Sequence, residues 1–239
     1  MPLKTTKNYS INFNPKKRAK KDIKYVVFHY TGMKSEKSAI SWLTNIQSQV
    51  AAHYMVKGNG QIINMVPDLY IAWHAGISSW GKENSLNKSS IGIEIANPGH
   101  QFGYKKFSKK QINSLIKLSK ILIKKYRINI KNFLGHSDIA PDRKKDPGEK
   151  FPWRYLAKRK IGIWHKLDSK KLRKLRNKKC NQLLQRNFFN NVFKIGYSTN
   201  SKKNNYLRYV TKAFQRRYRP ELINGKIDQE SLFISQKLI

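Results

Sequence analysis

Hydrophobic positions along the chain switch between the two-residue period of strands and the three-to-four-residue stripe of helices. Tyr25-Val26-Val27-Phe28-His29 is a β-branched and aromatic run that stops at Thr31-Gly32, which predicts a buried strand opening into a loop. Residues 35–49 predict a helix with Ser35 as its cap and Ile40, Leu43 and Ile46 on one side. Residues 53–56 and 61–66 flank Lys57-Gly58-Asn59-Gly60, turn chemistry that predicts a hairpin. Ile91, Ile93 and Ile95 alternate with Gly92, Glu94 and Ala96, so a strand here sends Glu94 to the face opposite the isoleucines. Ser108-x-x-Gln111 is a capping box opening a helix striped by Ile112, Leu115, Ile116, Leu122, Ile123 and Tyr126. Residues 132–136 predict another short strand. Strands interspersed with helices indicate an α/β domain: a mixed central β-sheet flanked by helices.

Past residue 155 the pattern changes. Residues 154–179 hold twelve Lys or Arg against one acid, Asp168, which predicts an extended or helical connector. Beyond it, Leu184, Phe188 and Val192 form one stripe, and Leu207, Val210 and Phe214 a second that ends at Arg219-Pro220. Asp228 is an N-cap for a third helix. The expected organisation is a basic N-terminal arm (1–22), an α/β domain (23–155), a basic connector (156–179) and a small three-helix domain (180–239).

Composition narrows the classes. The 239 residues are 39% hydrophobic and 12% aromatic, enough for a real core, and the apolar runs are far shorter than the roughly 20 residues that cross a bilayer. A single cysteine, Cys180, excludes an internal disulfide framework and a Cys-based zinc finger. The N-terminus is basic without the apolar centre of a secretory signal, so export is absent, unconventional or hidden by a processed start. Fifty Lys and Arg against thirteen Asp and Glu give a net charge of +37, a field that attracts polyanions. Nucleic acid, anionic lipid surfaces and carboxylate-rich cell-wall polymers all satisfy it, as does a merely lysine-rich solvated surface.

Gly-rich phosphate loops, HExxH, CxxC and Ser or Cys elbows are absent, which leaves the six histidines. His29 ends a predicted strand and His136 holds the corresponding place after Phe133-Leu134-Gly135; strand ends are where sites collect. Asp146 follows ten residues later, with Pro141, Pro147 and Gly148 able to fold the segment back toward the imidazoles. Two imidazoles and a carboxylate suit zinc and leave a fourth position for water, whose pKa the metal lowers to about 7. By spacing alone, Asp138 or Asp146 serves equally well as a turn cap beside proline.

Five segments occur in order: Val27-Phe28-His29-Tyr30-Thr31, Ala52-His53-Tyr54, Ala72-Trp73-His74-Ala75-Gly76, Ser90-Ile91-Gly92-Ile93-Glu94-Ile95 and Gly135-His136-Ser137-Asp138-Ile139-Ala140-Pro141. Over about residues 22–155 the chain closely resembles the zinc-dependent N-acetylmuramoyl-L-alanine amidases of the amidase-2 family, relatives of the peptidoglycan recognition proteins. The amidase D type branch, which has a C-terminal wall-binding module, looks nearer than the compact recycling amidases. The resemblance implies one Zn2+ per chain on His29, His136 and Asp146, Glu94 as acid/base and Lys144 as oxyanion stabiliser. His53 reads as structural. Some phage-type relatives carry a catalytic Tyr where this chain has Ala52, which throws more weight on Glu94. Trp73, His74 and Trp80 lie in a loop suited to contacting the sugar or peptide of a muropeptide; ordinary core packing serves Trp73 equally.

The C-terminal segments Ala213-Phe214-Gln215-Arg216-Arg217-Tyr218 and Asn224-Gly225-Lys226-Ile227-Asp228 weakly resemble the three-helix peptidoglycan-binding module, which implies a domain that concentrates the enzyme on its polymer. Peptidoglycan or muropeptide is then the expected partner, with anionic wall polymer on the basic connector and no specific nucleic acid. The substrate points to the cell envelope or periplasm, the missing signal to the cytoplasm. The competing readings are a non-catalytic peptidoglycan recognition protein and, on charge alone, a nucleic-acid binder.

Overall fold

The computed structural model describes residues 5–198 and 203–239. They run as β1 (Thr5–Lys7), β2 (Phe13–Asn14), β3 (Tyr25–Tyr30), α1 (Glu36–Thr44), β4 (Tyr54–Val56), β5 (Ile62–Asn64), β6 (Ile71–Ala72), β7 (Ser79–Trp80), β8 (Glu83–Asn84), β9 (Ser90–Ile95), α2 (Lys109–Tyr126), β10 (Phe133–Gly135), α3 (His136–Ile139), α4 (Trp153–Ala157), α5 (Ser169–Leu175), α6 (Gln182–Ile195), α7 (Tyr206–Tyr218) and α8 (Gln229–Gln236). Six strands make one mixed sheet in the order β1-β5-β4-β9-β3-β10. Within it β4 and β5 are antiparallel and the other neighbours parallel. Among the described residues no helix is long and apolar enough to cross a membrane.

Alternation along the central strands assigns the two faces of the sheet. Val26, Phe28, Ile91, Ile93, Ile95 and Phe133 pack on one side under Ile112, Leu115, Leu118 and Leu122 of α2. That helix starts where expected: Ser108 Oγ accepts from Gln111 N–H and Gln111 Oε1 accepts from Ser108 N–H. On the opposite side, Met55 and Ile63 pack under Ala39 and Leu43 of α1. Val27 and Leu134 on that side join a cluster with Phe188, Val192, Val210, Phe214 and Leu232 from α6, α7 and α8. The opposite face is therefore shared between α1 and the C-terminal helices, and the cleft described below opens on it.

Four expectations change in the folded chain. The helix predicted to Gln49 ends at Thr44, and Ile46 is 64% exposed. Helix-end carbonyls need partners: Ser10 Oγ donates to the Leu43 carbonyl at 2.6 Å and Asn12 Nδ2 to that of Asn45 at 2.8 Å, so the N-terminal segment closes the helix. Residues 5–22 accordingly are not a free arm. They add strand β1 to the sheet edge and bury Arg18, whose guanidinium donates to the carbonyls of Asp68, Asn87 and Lys88. Residue 136 opens the short helix α3 instead of ending a strand.

The fourth change concerns the connector. Residues 156–179, helical in part as α5, do more than connect, because Leu156, Ile161 and Leu172 are core residues. Leu172 belongs to the cluster that also holds Val27 and Leu134 of the sheet, so one core runs through both halves of the chain. The three C-terminal helices form as the stripes indicate. Asn181 caps α6 by accepting from Leu184 N–H, and Asp228 caps α8 by accepting from Ser231 N–H.

Candidate active site

The parallel strands β3, β9 and β10 end at one rim of the sheet, and each delivers one polar side chain near its end. His29 and Glu94 are direct register partners on β3 and β9, which puts both side chains on the same face. His136 follows β10, and the 140–146 segment returns so that the Ser137 N–H donates to the Asp146 carbonyl at 2.8 Å. Gly135 permits this return, since a Cβ there would lie 2.7 Å from Pro147 Cδ.

His29 Nδ1, His136 Nδ1 and Asp146 Oδ2 face one another at 2.9 and 3.0 Å, and all three residues are buried. Their outward-facing nitrogens decide the tautomers. His136 Nε2–H donates to the Ala75 carbonyl at 3.0 Å. His29 Nε2–H donates to His74 Nδ1 at 3.1 Å; His74 Nε2–H then donates to Ser90 Oγ at 3.1 Å, and Ser90 Oγ–H to the Leu86 carbonyl. With each Nε2 carrying the proton, both Nδ1 atoms present lone pairs to a carboxylate oxygen. Three converging lone pairs repel unless a cation sits among them, so the donor set fits a metal ion. Burial and the neighbouring His136 push the His29 imidazole down to about 4, which keeps it neutral as a ligand must be.

These groups line a cleft of about 410 Å³ with Glu94, Lys144, Thr31, Trp42 and His100. Glu94 Oε2 is enclosed and has no hydrogen-bond partner. Burial first, then the Asp146 charge, pushes the Glu94 carboxyl well above its ordinary value, opposed by Lys144. A carboxyl so placed, with a free oxygen facing the cleft, can take a proton and return it. Of the three consecutive cations on the rim, Arg143 is engaged by the Ile77 carbonyl and Lys145 is exposed. Lys144 is half-buried, and its charge reaches both His29 and Glu94.

Residues 19–149 match the Amidase_2 family, N-acetylmuramoyl-L-alanine amidase. The chain belongs to this family. It is 35% identical over 230 residues to the N-acetylmuramoyl-L-alanine amidase AmiD of Escherichia coli K12, covering 91% of this chain and 82% of that protein. The structure of E. coli AmiD in complex with the substrate anhydro-N-acetylmuramic acid-L-Ala-D-gamma-Glu-L-Lys superposes with a TM-score of 0.79 at 34% identity, covering 94% of this chain and 91% of that one. AmpDH3 of Pseudomonas aeruginosa in complex with anhydromuramic pentapeptide gives 0.78 at 29% identity, over 94% and 92%. The 1,6-anhydro-N-acetylmuramyl-L-alanine amidase AmpD of Haemophilus influenzae is 38% identical over 113 residues, 46% of this chain and 59% of that protein.

Within this amidase, the three residues expected to touch substrate separate. Trp80 is buried in the core shared with the C-terminal helices, its ring 4.8 Å from that of Tyr197. It is a packing residue of the seam between the two halves, and the expectation that it contacts substrate is corrected. His74 is only 8% exposed and sits behind His29. Its ring lies so close to the β9 backbone that a Cβ on Gly92 would come within 2.4 Å, so glycine is needed there. Trp73 is partly exposed but does not line the cleft. The exposed aromatic that does is Trp42, on the polar flank of the α1 stripe, where periodicity marks it only as solvent-facing. His100, between Tyr30 Oη and Glu149, also lines the cleft and carried no signal beyond being a lone loop histidine. His53 is structural: its Nδ1 accepts from the Gly92 N–H and its Nε2 meets the Tyr70 carbonyl, with burial and Arg18 lowering its pKa to about 3.

Proposed function

We propose that this chain hydrolyses the amide bond between N-acetylmuramic acid and L-alanine of peptidoglycan or muropeptides, using one zinc ion held by His29, His136 and Asp146. The observation that carries the reading is the convergence of two imidazole lone pairs and a carboxylate oxygen in one cleft beside an unpartnered glutamate. Zinc bound there would supply electrophilic activation of the amide and a water of lowered pKa. Glu94 takes a proton as the water oxygen adds to the carbonyl carbon. The ammonium of Lys144 stabilises the oxyanion that develops. Glu94 then delivers its proton to the alanine nitrogen as the C–N bond breaks, leaving a lactyl carboxylate and a free stem peptide. His74 holds the tautomer of His29. The relatives whose names specify muropeptide substrates support this class of ligand. A non-catalytic recognition protein is not favoured, because the donor set is complete.

The exposed cations of α5 and its flanks, Lys166, Lys170, Lys171 and Lys174 among them, suit contact with anionic wall polymer, and a peptidoglycan substrate supports a working site in the cell envelope, with the cytoplasm as the alternative. Purified full-length protein is expected to release stem peptide from muropeptides, to lose that activity on chelation and to regain it with about one equivalent of zinc. Product masses from anhydromuropeptides and intact sacculi, digested in parallel, identify the preferred form. Undiminished cleavage by metal-free protein would overturn the zinc mechanism; binding without cleavage at stoichiometric zinc would restore the recognition-protein reading.

A further inference from the structure

His136 is presented by the turn from β10 into α3, and the groups that hold this turn come from the other half of the chain. The Gly135 N–H, on the residue before the ligand, donates to Asp138 Oδ2 at 2.8 Å. The same carboxylate is gripped by Arg217 of α7 through Nη1 and by Tyr197, just past α6, whose hydroxyl donates to Oδ1 at 2.6 Å. Arg217 Nη2 also donates to the Phe133 carbonyl at 2.9 Å, so one guanidinium spans β10 from its first residue to the carboxylate that caps its last. The guanidinium lies 4.1 Å from the centre of the Trp153 ring, which itself packs against Gly135. Asp138, Arg217 and Tyr197 are 1%, 2% and 1% exposed.

A buried ion pair contributes little net stability over an apolar pair of the same volume, because both charges lose water. Its strength is in direction: a carboxylate with three fixed donors permits one orientation of the turn it caps. Here that turn carries His136 and, through the Ser137 N–H, the Asp146 carbonyl, so two of the three converging donors depend on it. Groups that orient a ligand from behind usually change metal affinity by about 10–100-fold.

We propose that Arg217 and Tyr197 are positioning residues of the metal site, and that the C-terminal helices therefore complete the catalytic centre through Asp138. The inference rests on the zinc reading above but not on the identity of the substrate. Tyr197→Phe removes one hydroxyl and keeps the ring that packs on Trp80; Asp138→Asn keeps the side-chain shape and removes the charge. Glu230→Gln is the control: it disturbs a second buried network of the same helices, with Arg176 and Arg219, which makes no contact with Asp138.

Zinc affinity is read in the full-length proteins by competition with a chromophoric chelator, alongside the cobalt absorption spectrum, kcat, KM and the Tm of metal-free protein. Tyr197→Phe and Asp138→Asn are expected to weaken zinc about 10-fold or more, alter the cobalt bands and lower kcat with KM within about twofold. Glu230→Gln is expected to lower Tm while zinc affinity stays within about twofold. Wild-type affinity and cobalt bands in both test variants would overturn the proposal, as would a loss in Glu230→Gln that matches theirs. Tight zinc binding without muropeptide cleavage in the wild type, with the variants weakened as expected, would sink the substrate assignment and leave this inference standing.

Discussion

Two aspartates eight residues apart, Asp138 and Asp146, end in opposite electrostatic situations. Asp138 lies in the seam between the sheet and the C-terminal helices, where Gly135, Arg217 and Tyr197 all donate to it. Asp146 lies in the cleft and meets two imidazole nitrogens whose protons are committed elsewhere. One carboxylate is satisfied by the fold and stiffens it; the other is satisfied only when a cation arrives. A buried polar cluster thus reports its purpose through its proton inventory: complete clusters hold structure, and clusters short of protons bind something.

The contrast is broken most severely at Glu94. Glu94→Gln is expected to lower kcat by about 10²–10⁴-fold, with zinc content unchanged at one per chain. Because Glu94 Oε2 has no partner in the fold, Tm of the metal-free protein should hold or rise. A fall in Tm with retained turnover, measured by calorimetry and by mass detection of released peptide, would assign Glu94 to the structural class instead.

The seam should show the reverse. Trp80→Ala empties a site packed by Tyr197 and Gly196 and is expected to cost about 3–5 kcal/mol in denaturant unfolding. At temperatures where the variant is folded, KM for muropeptide should stay within about twofold; a large rise in KM would return Trp80 to the substrate.

The smallest expected effect sharpens the comparison with a third carboxylate, remote from the cleft. Burial pushes the Asp68 carboxyl up, but hydrogen bonds from Lys125 at 2.7 Å, Tyr126 at 2.6 Å and Tyr54 at 2.5 Å outweigh it and leave the carboxyl below its ordinary value. A depressed folded-state value stabilises fully above the unfolded-state value of about 4, and the contribution fades as pH falls further. Asp68→Asn should therefore lower stability by about 1 kcal/mol at neutral pH and flatten the loss of Tm below pH 4. An unchanged acid limb would show that Asp68 does not contribute to acid unfolding.

Much of this contrast was legible in the residues and some of it was not. The strand phase that turns Glu94 from Ile91, Ile93 and Ile95, the capping box at Ser108, the two C-terminal stripes and the Asp228 cap are local patterns, and the folded chain keeps them. His29, His136 and Asp146 were marked by strand ends and a folded-back segment, yet spacing left a turn-capping role as open for Asp146 as for Asp138. Trp80 and Trp73 looked alike in one loop, although Trp80 packs beneath Tyr197, more than a hundred positions later. The segment from Ala213 to Tyr218, which resembles a wall-binding motif, is buried throughout. Gln215 fixes the turn at Asn224 and Gly225, and Arg217 grips Asp138, so these residues serve the fold and the seam.

Side-chain periodicity and capping chemistry depend on neighbours within one or two turns of chain, so the residue order alone determined the central strands, the main helices and which face of β9 carries its carboxylate. Whether a polar group is paired depends on donors brought from distant segments. Only the tertiary arrangement decided that Arg217 and Tyr197 belong to Asp138, that the basic stretch before α6 is packed, and that Asp146 is left facing lone pairs.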